Sequence, residues 1–234
     1  GEENATFIAG GIDLVRRMRG GDAWGTLIDI SSLEGMRAIE DRGGHIEIGA
    51  LATHWDIETS DLLAARLPDF QAAWTTIGNV RIRMTGTMGG NVLAREAGYD
   101  GPVILGVLGA ELVFLTAGGE VSVSAGVAET GVPADGLVTK VRIPVVENRK
   151  ILFDRSLKPV VSAAVSVEGD TFTAGIGCAF PAPVFQSGSG PVDADALSGA
   201  LAEPIDNPMG GSAYRRRMAG VLVARLYQNI VNGS

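Results

Sequence analysis

Short runs of apolar residues alternating with polar ones recur along most of this 234-residue chain. Residues 26–30, 46–49, 111–116, 120–123, 137–143, 160–167 and 171–176 carry the period of two expected of strands. Phe7-Ile8 adds another strand that enters a tight turn at Gly10-Gly11. Helical spacing predicts 13–18, with Leu14 and Met18 on one face, then 56–65, 69–77, 193–201 and 212–231. In the last of these, Tyr214, Met218, Val221, Leu222, Arg225 and Leu226 define the stripe expected to be buried. The order mixes α and β without strict βαβ alternation, so an α+β class is expected. A proline and a polar run at 144–150 follow a strand and suggest a boundary. Residues 1–145 then form one region, and 146–234 form a smaller α+β region. That second region should contain two or three antiparallel strands, a Gly/Ser/Pro loop at 181–191 and two helices.

Composition narrows the class. Hydrophobic residues at 46% and charged residues at 20% describe a globular chain that can bury a core. No apolar run reaches the length of a membrane span. The net charge of −8 argues against a nucleic-acid surface, which needs a basic stripe. Arg215-Arg216-Arg217 is the one dense basic cluster and is expected on a solvated or partner-facing side of its helix. The single Cys178 excludes an internal disulfide framework and a cysteine-held iron–sulfur or zinc site within this chain, and points to a reducing compartment. Asn4-Ala5-Thr6 and Asn232-Gly233-Ser234 match the glycosylation pattern by coincidence on this reading.

Two glycine pairs carry the candidate chemistry. Thr87-Met88-Gly89-Gly90-Asn91 sets a threonine and an amide around a pair whose backbone N–H groups can wrap an anion. Far upstream, Ala9-Gly10-Gly11-Ile12-Asp13-Leu14 repeats the device directly after Phe7-Ile8. Either pair alone is an ordinary turn signal. Together they suggest one diphosphate held from two sides.

At these residues the sequence resembles the FAD-binding subunit of molybdenum hydroxylases, the group that includes bacterial carbon monoxide dehydrogenase medium subunits and the flavin domain of xanthine dehydrogenase. The resemblance runs through the AGGxDL loop, the IGALATHWDIETS segment at 48–60, the IGxxxIR…GTxGGN block and Asp100. It continues through Gly136-Leu137-Val138 and Val141-Arg142-Ile143-Pro144, and ends at Ser212-Ala213-Tyr214 with Arg215 to Arg217. It implies a PCMH-type FAD-binding fold of two α/β subdomains, followed by a smaller C-terminal domain with an antiparallel sheet and helices. Relatives usually carry a further strand and helix before the AGG loop, so Gly1 is expected to begin partway into that fold.

The resemblance implies non-covalent FAD, its diphosphate between 9–14 and 87–91. It implies that Asp100 accepts hydrogen bonds from ribityl or ribose hydroxyls, although on the residues alone Asp100 is equally a turn residue. Leu137 and Val138, core strand residues by pattern, can also pack against the cofactor's aromatic part. Arg155 and Lys158 stand where the family often has a lysine and an arginine near the flavin ring. Here Arg155 occupies the lysine position and Pro159 interrupts the run. Arg83, ordinarily a surface or helix-end cation, is expected to support the glycine loop. Departures from the family fall at residues 92–99 and at Met84.

The function implied is electron transfer. Electrons would arrive from [2Fe-2S] clusters on a small partner chain, ahead of a large chain holding the molybdenum cofactor. They would leave for NAD, oxygen, a quinone or another carrier. A cytoplasmic dimer of heterotrimers is expected. A self-contained flavin oxidase or reductase would need a positioned acid or base, which the sequence does not offer. A flavin-free interaction module is disfavoured by the intact glycine loops. His45 and His54 have no second metal ligand at useful spacing, and His54, after the helix N-cap candidate Thr53, is expected to pack at a helix start. Cys178 is expected as a small buried side chain on an apolar strand.

Overall fold

A computed structural model describes residues 4–94, 97–127, 131–156 and 158–233. Arg95 and Glu96, in the stretch that departs from the family, lie outside the described residues, as do Leu157 and the Ser234 of the second glycosylation match. Strands β1 (Ala5–Ile8) and β2 (Thr26–Asp29) pair in parallel around helix α1 (Ile12–Arg19). A five-stranded antiparallel sheet follows in the order β3-β4-β7-β5-β6, built from β3 (Ile39–Asp41), β4 (His45–Gly49), β5 (Glu111–Thr116), β6 (Gly119–Ser124) and β7 (Leu137–Pro144). Between β4 and β5 the chain winds through α2 (His54–Glu58), α3 (Asp61–Arg66), α4 (Pro68–Thr75), α5 (Val80–Thr85), α6 (Met88–Leu93) and α7 (Gly101–Val107). The last sheet has the order β11-β10-β9-β8, from β8 (Lys150–Arg155), β9 (Ser162–Glu168), β10 (Thr171–Gly177) and β11 (Val184–Ser189). Helices α8 (Ala194–Ala200) and α9 (Ser212–Val231) accompany it.

Alternation puts Ile46, Ile48, Leu112, Phe114, Val141 and Ile143 on the inner face of the five-stranded sheet, against Phe70, Trp74, Met88, Ile104 and Leu105. A second core joins Val161, Ala163, Val165 and Ile176 to Leu222, Val223 and Leu226 of α9. The two cores meet. Ile151 and Ala164 belong to the first, and the Phe185 ring lies so close to Gly106 that a β-carbon there would stand 2.2 Å from it. The unit β1-α1-β2 is more lightly built, with no buried residue on α1 and with Phe7, Val15, Met18, Leu27 and Ile28 exposed.

Three strands escaped the pattern, β3, β8 and β11, and all three are edge strands. An edge strand meets solvent along one side and tolerates charge, Ser and Gly, as LysIleLeuPheAspArg in β8 and ValPheGlnSerGlySer in β11 show. The expected loop at 181–191 is therefore mostly strand. The single helix expected over 56–65 is two helices, because Ser60 accepts a bond from Leu63 N at 3.3 Å and caps a new start. Cys178 is buried as expected, but it follows β10 with a positive φ of 61° rather than lying on the strand.

On α9 the buried stripe is rotated from the expected one. Tyr214 and Val221 are exposed, while Arg215, Ala219, Leu222, Val223, Leu226 and Tyr227 are buried. Arg215 corrects the expectation of a solvated basic cluster. Its side chain is 1% exposed and donates to Gly210 O, Val160 O, Cys178 O and Asn207 Oδ1 at 2.7–2.9 Å. A guanidinium's rigid fork of donors satisfies several buried carbonyls at once.

Arg215→Met should cost about 3 kcal/mol, because it strands buried carbonyls that burial makes expensive to leave unpaired. The exposed Arg217→Ala should stay within about 0.5 kcal/mol. Guanidinium unfolding of the two variants checks this, and equal midpoints would show that Arg215 does not anchor these loops.

Candidate cofactor site

The two glycine loops are in direct backbone contact. A β-carbon on Gly10 would stand 1.8 Å from Thr85 O and 3.4 Å from the α-carbon of Gly86, so no larger residue fits. Gly11 takes φ 72°, the left-handed conformation glycine adopts without strain. There it serves as N-cap of α1, and no side chain bonds the helix's first N–H groups. On the other side Thr87 caps α6 by accepting from Gly90 N at 3.1 Å, and Gly89 N and Met88 N bond Ala50 O and Ala52 O, both at 2.8 Å. The second loop is thereby bonded to the end of β4, while the first rests on it through Gly10.

Helices α2, α4 and α5 support the second loop from behind. Thr53 and Asp56 form a reciprocal capping box at the start of α2, so that His54 packs at a helix start as expected. His54 N donates to Gly86 O at 3.0 Å. Its ring is 2% exposed and stacks on Trp74 with centroids 5.4 Å apart. Burial, reinforced by the Arg83 guanidinium, pushes its pKa down to about 4. Arg83 itself is buried. It donates to Trp74 O, Thr75 O and Ile77 O at the end of α4 and to Glu58 Oε2 at 2.6 Å. From α5, which leads into the loop, it closes the C-terminus of α4, which is support rather than surface charge.

A cavity of about 280 Å³ opens between the loops. Its walls bring together Ala9, Gly10, Gly11, Ile12, Asp13 and Leu14 from one side and Thr87, Gly89, Gly90 and Asn91 from the other, with Leu137 and Val138 at the start of β7. Met88 is fully buried in the core and does not line it. Asp100 and Arg155 do not line it either. They pair with each other, Arg155 Nη1 to Asp100 Oδ2 at 2.7 Å, and Arg155 Nη2 reaches Thr76 O at 3.2 Å. Asp100 is 2% exposed, its Oδ1 has no partner, and burial raises its pKa against the pull of Arg155.

Sequence reasoning missed Tyr99 and His54 as lining residues. Tyr99 donates to Asp13 Oδ1 at 3.2 Å, joining α1 to the segment before α7, and Asp13 also pairs with Arg16 at 2.7 Å. Burial, then the nearby Asp13 charge, pushes the Tyr99 phenol up to about 12. No local signal marks a partner 86 residues away.

The residues present suit a dinucleotide. The first N–H groups of α1 have no side-chain acceptor, Gly90 is exposed with open space beyond the Thr87 hydroxyl, and Asn91 lines the cavity, its Oδ1 buried against Gly101 without a hydrogen-bond partner. N–H groups at a glycine turn and a helix start favour phosphate. Apolar walls at Ala50, Leu51, Ile82, Leu137 and Val138 suit an aromatic ring system.

Comparison with known proteins agrees. The family of the FAD binding domain in molybdopterin dehydrogenase matches residues 1–146. The carbon monoxide dehydrogenase medium chain of Afipia carboxidovorans is 30% identical over 95% of this chain and 88% of its own length. The glyceraldehyde dehydrogenase medium chain of Sulfolobus acidocaldarius is 28% identical over 68% of this chain and 58% of its own. Among solved structures, a chain of reconstituted CO dehydrogenase from Oligotropha carboxidovorans superposes with a TM-score of 0.89 at 25% identity, covering 99% of this chain and 91% of that one. No helix among the described residues is long and apolar enough to cross a membrane. The chain thus belongs to the molybdenum hydroxylase family as an FAD-binding medium subunit, a component of an oxidoreductase.

Proposed function

We propose that FAD lies in the cavity between 9–14 and 86–91, and that this chain relays electrons through it. The donors would be [2Fe-2S] clusters on a small partner chain, fed by a large chain with the molybdenum cofactor, and the receiver an external acceptor. The observation that carries the reading is the backbone contact of Gly10 with Thr85, which makes one two-sided cradle of two glycine loops distant in sequence. When bound, the flavin supplies the capacity to take up two electrons and release them singly or as hydride. The chain's own residues bind and orient. Backbone N–H groups at Gly11 to Asp13 would meet the diphosphate, with the 87–90 turn, whose N–H groups from Met88 to Gly90 are already bonded within the protein, forming the opposite wall, while Leu137 and Val138 would pack against the aromatic part.

Asn91 lines the cavity and its amide would meet ribityl or ribose hydroxyls, whereas Asp100, outside that lining, would do so only where the cofactor extends past the cavity. Arg155, held by Asp100 outside the cavity lining, would supply a cation to a flavin ring that reached it, where positive charge favours the reduced form. The FAD-binding domain would comprise residues 1–145, and residues 146–234 the C-terminal domain. The relatives are named as medium chains of dehydrogenases, which supports a place in a multi-chain complex, here read as a dimer of heterotrimers. A cytoplasmic location suits the lone buried thiol of Cys178.

Flavin released from the denatured chain should chromatograph as FAD, and recovery of FMN alone would overturn the assignment. Gly90→Val should remove the flavin while leaving the far-ultraviolet circular dichroism intact. Gly90 lies within α6 and its φ is not positive, so the effect comes from filling the space beyond Thr87 Oγ1 rather than from backbone strain. A variant as yellow as the parent contradicts the cradle.

Copurification from the native source should yield a small iron–sulfur chain and a large molybdenum chain. The isolated flavin should be reduced by dithionite but not by the complex's organic substrate. Turnover of that substrate by the lone chain would replace this reading with a self-contained oxidase.

A further inference from the structure

The His54 ring lies on the cavity wall with its two nitrogens in different surroundings. Nδ1 is fully buried and has no hydrogen-bond partner. The opposite edge is turned toward the second glycine loop: a β-carbon on Gly86 would stand 3.0 Å from Cδ2 and 3.2 Å from Nε2. A side chain at Gly86 is excluded first by Ile82 O, 2.8 Å from that β-carbon, and then by the imidazole edge. The ring stacks on Trp74, and the residue's main chain is held by its backbone N–H donating to Gly86 O and by Arg83 Nη2 donating to its carbonyl at 3.4 Å.

These surroundings fix the tautomer. A buried N–H without an acceptor is rarer and costlier than a buried lone pair without a donor. The sealed Nδ1 is then the bare nitrogen, and the proton sits on Nε2 at the cavity edge. The positive Arg83 beside the ring and its burial disfavour a second proton. His54 thus presents a neutral N–H next to the glycine loop, on a ring held rigid by stacking.

We propose that His54 is a further binding residue of this site, its Nε2–H donating to a phosphate oxygen of the bound dinucleotide. This rests on the cofactor reading given above. A rigid neutral donor adds directional recognition of the diphosphate without introducing a cation that would have to be buried in its absence. It also couples the loop to α2, since the same residue that meets the phosphate bonds Gly86 O through its main chain.

The test titrates the full chain, stripped of flavin, with FAD, ADP and riboflavin. His54→Phe keeps a ring against Trp74 and removes both nitrogens. It should weaken FAD and ADP on the order of 10- to 100-fold, the range of a hydrogen bond to a charged group, while riboflavin, which lacks the diphosphate, binds as in the parent. A merely structural role would weaken all three together, and that result overturns the proposal. His54→Gln, which keeps a neutral N–H donor, should bind FAD more tightly than His54→Phe, and two equally weak variants would also overturn it. A parent chain that binds no FAD overturns the cofactor reading and this inference with it. A parent that binds FAD no more tightly than His54→Phe overturns this inference alone.

Discussion

The site depends on one contact in which no side chain takes part, that of the Gly10 backbone against the carbonyl of Thr85. Close packing leaves no room to relax around an added methyl where the opposing atoms are main chain. The α1 unit, which buries none of its own helix, therefore takes its position from the rest of the protein through this contact and the Tyr99–Asp13 bond. What faces it is rigid. Residues 86–91 are bonded to the end of β4, capped by Thr87 and backed by the His54–Trp74 stack.

The charged groups divide between support and site. Arg83 spends its donors on the end of α4 and on Glu58, and Arg215 on the carbonyls around Cys178, so both act as internal fasteners. Asp100 and Arg155 differ, because their pairing leaves one carboxylate oxygen without a partner and the guanidinium partly exposed. A buried acceptor left open is costly unless something fills it. The pair joins the start of α7 to the end of β8, outside the lining of the cavity.

The glycine loops were legible because their chemistry is local: a pair of glycines beside Thr87 and Asn91 states a backbone requirement within five residues. The core strands β4, β5 and β7 were legible for the same reason, since both faces of their alternation are decided by burial. Strands β3, β8 and β11, at sheet edges, were not, because their short or irregular sequences lack the alternation that made the edge strand β6 legible. The rotation of α9 was hidden too, as a buried Arg215 reads as a surface residue until the carbonyls it satisfies, up to 55 positions away, are known. His54, Tyr99 and the mutual pairing of Asp100 with Arg155 depend on long-range placement in the same way.

The central claim, that two distant glycine loops form one cradle through backbone contact, is tested most directly by titrating Gly10→Ala with FAD alongside the parent. With one methyl group placed where Thr85 O stands, the account predicts that FAD affinity falls by at least about tenfold, the equivalent of roughly 1.4 kcal/mol, with helix and strand content unchanged. Parent-like affinity in a folded Gly10→Ala chain would contradict it.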